Sequence, residues 1–290
     1  MNKFPDFLII GAMKCATSTL HEQLAVQNGI FMTELKEPNF FSNDDQYAKG
    51  MEWYLSHFES APDSTLCGES STHYTKRPTY PYTVKRIKQH LPNAKFIYII
   101  RHPIDRLVSQ YIHEWTQRRI FIDINQAIYQ HPELVEYSRY SLQLQPYFET
   151  FGQIRVLPIF FERLFQYPQT ELERICHFIG YREKPTWNSE LNAQNISSER
   201  MQKNAIRDFL VEQPVLQKVR RQFIPKSFRT WVRSWWTLKK RPKLEPKQVD
   251  YLWTIFDPDL AMLGSWLGIE LSCENFKATV KDTPHNWIGL

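Results

Sequence analysis

Short unbroken apolar runs alternate along the chain with stretches whose apolar residues recur every third or fourth position. Phe7-Leu-Ile-Ile10 is such a run, ended by Gly11, the pattern of a strand buried on both faces. Behind a turn of small residues, Leu20, Leu24 and the stop at Gly29 predict a short helix. Val84, Ile87, Lys88 and Leu91 place a second helix, closed by Pro92-Asn-Ala, and Lys95–Ile100 follows as a strand rich in β-branched residues. Arg101-His-Pro103 opens a helix that runs through Leu107, Val108 and Tyr111 to about Arg118, with proline tolerated in its first turn. Ile154–Phe160 is a further strand, which Pro158 weakens or pushes toward a sheet edge. It leads to a helix through Leu172, Ile175 and Phe178, with Gly180 as its cap. From Pro185 the pattern loosens into Asn and Ser, and Val249–Gly264 is helical again through Leu252, Ile255, Phe256 and Leu260. Strands alternating with helices predict an α/β fold with a central parallel sheet flanked by helices in three layers. No internal repeat or low-complexity segment interrupts it, so one domain over residues 1–290 is expected.

Composition narrows the class. The chain has 290 residues, 42% hydrophobic and 23% charged, which excludes a disordered protein. No apolar run approaches the length of a membrane span, and no basic, apolar leader precedes Phe7. Cys15, Cys67, Cys176 and Cys273 are too widely spaced for a local zinc site or a secreted disulfide framework. A soluble, cytoplasmic protein is expected, with peripheral membrane contact left open. Net charge is +5 but uneven: residues 200–247 carry +11 and the rest −6. That surplus suggests an anionic partner, or a solvated basic helix face. Trp231, Trp235 and Trp236 lie among those cations, a combination suited to sugar rings, to a lipid headgroup interface, or to simple packing on the domain. No nucleic-acid motif accompanies the charge.

The first strand-to-helix turn reads Gly11-Ala-Met-Lys14-Cys15-Ala16-Thr17-Ser18-Thr19-Leu20. Successive amides at a helix start form a nest for phosphate, and the three hydroxyls can add donors. A Walker A loop needs a second glycine and then lysine; Ala16 and Thr17 hold those places, and the lysine has moved to Lys14. The strand that would supply a metal-binding Asp ends instead in Arg101. A relocated lysine with no metal ligand suits a phosphosulfate better than a magnesium-bound triphosphate, so sulfuryl transfer is expected on a P-loop-like fold.

These residues resemble the family of sulfotransferases that use 3′-phosphoadenosine 5′-phosphosulfate (PAPS). Lys14–Leu20 is similar to that family's KxGTTxL phosphosulfate loop, with Ala16 for glycine and Ser18 for threonine. Arg101-His-Pro103 with Ser109 resembles its 3′-phosphate motif, RxPxxRxxSxY. Lys36-Glu37-Pro-Asn-Phe40-Phe41, Tyr47 to Tyr54 and Gly68-Glu69 to Tyr74 resemble segments of the branch of heparan-type sulfotransferases and their bacterial relatives, although Ser70 replaces a lysine. The resemblance covers roughly residues 5–205, with a core at 5–182. The remainder, 183–290, would hold a nucleotide-covering loop and the basic, Trp-rich C-terminal part.

The resemblance implies roles. Lys14, Cys15, Ala16, Thr17, Ser18 and Thr19 would hold the 5′-phosphosulfate; Arg101 and Ser109 the 3′-phosphate; Ser198 and Arg200 the covering loop. Glu37 is the candidate base toward a hydroxyl, or less readily an amine, of a carbohydrate-like, glycolipid, lipid or other small hydroxyl acceptor, unless it is a surface glutamate paired with Lys36. His73 is the competing base, and Lys14 would stabilise the departing adenosine 3′,5′-diphosphate. No metal is expected. Arg106, on the motif's second arginine, and Arg118 read as surface charges. The rival readings are a P-loop nucleotide kinase and a non-catalytic protein that binds anionic ligands or membranes on the same fold.

Overall fold

The computed structural model describes residues 3–191 and 241–289. Five parallel strands form the central sheet in the order β2-β3-β1-β4-β5. They are β1 (Phe7–Gly11), β2 (Ile30–Met32), β3 (Leu66–Ser70), β4 (Lys95–Ile100) and β5 (Val156–Phe160). Helix α1 (Thr17–Ala25) joins β1 to β2, and α2 (Asp44–Tyr47) and α3 (Gly50–Ser56) precede β3. A 3-10 turn, Thr72–Thr75, and α4 (Thr83–His90) lead to β4, and α5 (Pro103–Thr116), α6 (Ile124–Gln130), α7 (Glu133–Glu136) and α8 (Tyr140–Phe151) lead on to β5. Then come α9 (Phe161–Gln166), α10 (Pro168–Ile179) and two C-terminal helices, Pro246–Leu267 and Phe276–Lys281.

The elements read from the hydrophobic pattern are present. β1 and β4 are the unbroken apolar runs, fully or almost fully buried because helices flank the sheet. Pro158 sits in β5, which is an edge strand as its missing amide requires. Gly180 caps α10 in the left-handed conformation (φ 92°). The C-terminal helix is longer than its apolar pattern predicts, starting at Pro246 and passing through Pro258.

Ring contacts tie the layers together: Tyr147 and Phe151 of α8 meet Phe96 of β4 at 5.1 and 4.7 Å between centroids. Asp259 of the C-terminal helix accepts hydrogen bonds from the Ser141 and Leu142 amides and the Ser141 hydroxyl, so its carboxylate caps the free amides at the start of α8. No helix among the described residues is long and apolar enough to cross a membrane. The Trp-rich basic segment, Ser198 and Arg200 lie outside the described residues.

Strand β3 runs close under its neighbours. A Cβ on Gly68 would stand 2.3 Å from the Phe7 ring and 2.9 Å from Met32 Sδ. Gly68→Ala should therefore cost about 1–3 kcal/mol through overpacking and lower the thermal midpoint; an unchanged midpoint would contradict this packing.

Candidate active site

Three adjacent strands, β3, β1 and β4, end side by side, and each delivers one part of the site. The order places β1 where the chain switches direction across the sheet, the position at which open α/β sheets bind ligands beyond their carboxyl ends. The loop after β1 is fixed by the Ala12 amide donating to the Ile99 carbonyl of β4 at 2.9 Å. Gly11 is obligatory there, since a Cβ would lie 2.1 Å from the Thr75 hydroxyl, which itself donates to the Ile10 carbonyl. Lys14 (φ 69°) and Ala16 (φ 66°) both adopt the left-handed conformation. That explains the glycine expected at Ala16, because alanine carries a steric cost of about 1 kcal/mol in this region.

Ala16 is the N-cap of α1, and among the described residues no side chain caps it. The first-turn amides of Thr17, Ser18 and Thr19 therefore face outward from a helix start, a cradle for an anion. Cys15 is fully buried, its amide donates to the Ala12 carbonyl, and burial pushes its thiol up to about 12. It shapes the turn and is no nucleophile.

Arg101 follows β4 directly. Its guanidinium donates to the Lys14 carbonyl at 3.1 Å and lies 4.3 Å over the Phe161 ring. The loops after β1 and β4, distant in sequence, are thus joined by a hydrogen bond. Tyr140 exchanges hydrogen bonds with the Arg101 backbone, holding the residue in place. Ser109 lies partly exposed on α5.

Arg106 is not a surface charge. It is wholly buried beneath the phosphate loop. Its nitrogens donate to the Ser138 hydroxyl, the Gln110 side chain, and the carbonyls of Leu134 and Met13. Those partners are all neutral, so a positive charge sits under the anion cradle. The motif's spacing was the available signal for this; Arg118 is exposed, as read.

Glu37 leads from the loop between β2 and α2. Its amide donates to the Ser70 carbonyl at the end of β3, and its carboxylate accepts from the Thr72 amide and hydroxyl at 2.9 and 3.1 Å. Its backbone is left-handed (φ 59°), as is that of Asn39 (φ 52°), conformations that persist only where surroundings enforce them. The enforcement is aromatic. Phe40 stacks on Tyr54 at 4.8 Å and meets Tyr47 and Trp53, while Phe41 packs on Tyr54 and Tyr74. The motif's aromatic positions are the clamp on the Glu37 loop. The pairing of Glu37 with Lys36 is replaced by a different one: Lys36 Nζ donates to the Ser18 hydroxyl of the phosphate loop.

His73 stacks on Tyr80 at 4.9 Å, with Nδ1 buried and unpartnered among the described residues. Burial, with Lys76 and Arg119 nearby, lowers it to about 3, so it is neutral and weakly basic. Glu69 is fully buried on β3, accepts from the Ser71 hydroxyl at 3.1 Å, and is pushed by burial up to about 8. Its second oxygen, Oε1, and the Tyr54 and Tyr74 hydroxyls are buried with it. Among the described residues no three His, Cys, Asp or Glu side chains converge to hold a metal ion.

The family model of the sulfotransferase domain matches residues 4–264. The chain belongs to the sulfotransferase family. Among the chain's relatives, the membrane-associated sulfotransferase kil1 of Dictyostelium discoideum is 37% identical over 110 residues, covering 37% of this chain and 22% of that protein. Human heparan sulfate glucosamine 3-O-sulfotransferase 6 is 26% identical over 192 residues, covering 63% of this chain and 54% of its own length. The chain thus spans about half or less of these relatives. The crystal structure of a sulfotransferase from Alicyclobacillus acidocaldarius shares the fold, with a TM-score of 0.65, 23% identity, and coverage of 93% of this chain and 98% of that one.

The raised Glu69 carboxyl has a consequence for stability. Folding holds its proton up to about pH 8, whereas the unfolded carboxyl releases it near pH 4. The resulting stabilisation is complete in acid and is lost as pH rises from about 4 through 8. Glu69→Gln should flatten the fall of the thermal midpoint between pH 5 and 8; an unaltered pH slope would contradict a protonated, buried Glu69.

Proposed function

We propose that the protein transfers a sulfuryl group from PAPS to a hydroxyl, or less readily an amine, of a carbohydrate-like or lipid acceptor. The observation that carries this reading is the hydrogen bond from Arg101 to the Lys14 carbonyl, which sets the phosphosulfate loop and the 3′-phosphate motif side by side. A nucleotide with anions at both its 3′ and 5′ ends fits such a pair, and the donor's chemistry fits the residues present. The first-turn amides of Thr17–Thr19 meet the 5′-phosphosulfate, and Arg101 and Ser109 take the 3′-phosphate; Ser198 and Arg200, outside the described residues, are assigned to a nucleotide-covering loop by the resemblance alone.

The reaction is an in-line displacement at sulfur. The acceptor oxygen forms a new S–O bond and loses its proton to Glu37. The S–O bond to the 5′-phosphate breaks, and its electron pair departs on adenosine 3′,5′-diphosphate. Lys14 stabilises that departing charge, aided by the loop amides and by the field of buried Arg106. Glu37 suits the base because the Thr72 amide and hydroxyl orient one oxygen and leave the other to the acceptor. His73 is held too weakly basic for that task; with Tyr80 it forms a flat aromatic wall on which a sugar ring can rest. The similarity to a heparan sulfate glucosamine 3-O-sulfotransferase favours a carbohydrate acceptor. A kinase is disfavoured by Ala16 and Thr17 in the Walker positions and by Arg101 at the end of β4.

The test is formation of adenosine 3′,5′-diphosphate from PAPS with a panel of glycan and glycolipid acceptors. Lys14→Ala and Glu37→Gln should each lower kcat by about 100-fold or more, while Arg101→Ala should mainly raise KM for PAPS. Near-normal turnover by Lys14→Ala would sink the reading.

A further inference from the structure

Lys36 precedes the proposed base, yet its side chain leaves the Glu37 loop and crosses to α1. There its ammonium donates to the Ser18 hydroxyl, in the first turn of the phosphate cradle. The crossing is unfavourable on its own terms. Lys36 is partly buried, and both that burial and the neighbouring charge of Lys14 push its ammonium below the usual lysine range, opposed by Glu37 and Glu22. On the far side, His21 cannot share the charge: burial and Lys36 hold it near 4, and its Nδ1 is engaged with the Ser70 hydroxyl at 2.8 Å. Two lysines are therefore brought together at the start of α1, one from each of two loops. Like charges so placed are compensated when an anion lies between them.

We propose that Lys36, braced on Ser18, is a second cation that binds the transferring sulfuryl group of PAPS. The inference rests on the reading that the loop holds PAPS and assigns a residue to its reacting end. An ammonium has three donors; one is spent on Ser18, and the others reach the sulfonate oxygens as Lys14 reaches the bridging oxygen. Lys36 exchanges no proton in the step. It supplies charge where the sulfonate is attacked, next to the residue that removes the acceptor proton, so a single loop brings both base and electrophilic clamp to the same sulfur.

The test compares two nucleotides that differ only in the sulfuryl group, by calorimetric titration of the full chain. Lys36→Met should weaken PAPS binding by about 10-fold or more while leaving adenosine 3′,5′-diphosphate within about 2-fold. Lys36→Arg, which keeps the charge, should restore most of the PAPS affinity. Equal weakening of both nucleotides would show that Lys36 only shapes the loop, and unchanged PAPS binding would remove it from the site; either result overturns the proposal with the functional reading intact. A wild-type chain that binds neither nucleotide would overturn both.

Discussion

The site depends on the parallel register that sets the ends of β3, β1 and β4 in a row. Ile9 pairs with Ser70 on one side and Ile97 on the other, so the loops that follow leave the sheet as immediate neighbours. From that one constraint come the Glu37 loop on the Ser70 carbonyl, the phosphate loop on the Ile99 carbonyl, and Arg101 on the loop's own backbone. Glycines at positions 11 and 68 are the condition for it, since each lies where a side chain would force neighbouring elements apart. Parallel strands present their carboxyl ends together, and helix starts that follow add their amides to the same edge.

Charge placement then follows a consistent rule. Cations gather around the loop after β1: Lys14 within it, Arg101 on the Lys14 carbonyl, Lys36 on the Ser18 hydroxyl, and Arg106 buried against the Met13 carbonyl. Arg106 is the most costly, a wholly buried guanidinium hydrogen-bonded to neutral groups. Such a charge is tolerable because four acceptors take four of its five N–H groups, and an anion bound above it would gain from its field. The acidic groups at this end are handled in opposite ways. Glu69 is buried and protonated, whereas Glu37 is partly exposed and oriented by Thr72.

Legibility in the sequence tracked how far a residue's role agreed with its polarity. The strands Phe7–Gly11 and Lys95–Ile100 were plain because their apolar runs are buried on both faces. Strand β3, Leu-Cys-Gly-Glu-Ser, was visible only through the family motif, because a buried glutamate and serine imitate a loop. β2 is three residues long and offers no period to read, and Pro146 within α8 is a breaker that tertiary packing overrides. The motifs marked Lys14, Glu37 and Arg101, and the structure brings their loops together. They did not reveal Lys36 crossing to Ser18, because a lone lysine reads as surface until the fold is known, whereas the place of Arg106 on the motif's second arginine was a signal that its reading as a surface charge passed over.

The most direct measurement of the central claim, that this strand-end row is built for a nucleotide with anions at both ends, is calorimetric titration with adenosine 3′,5′-diphosphate beside ADP with Mg²⁺. The account predicts tight, metal-independent binding of the first and little of the second. Preference for ADP with Mg²⁺ would contradict it and return the phosphate loop to a kinase.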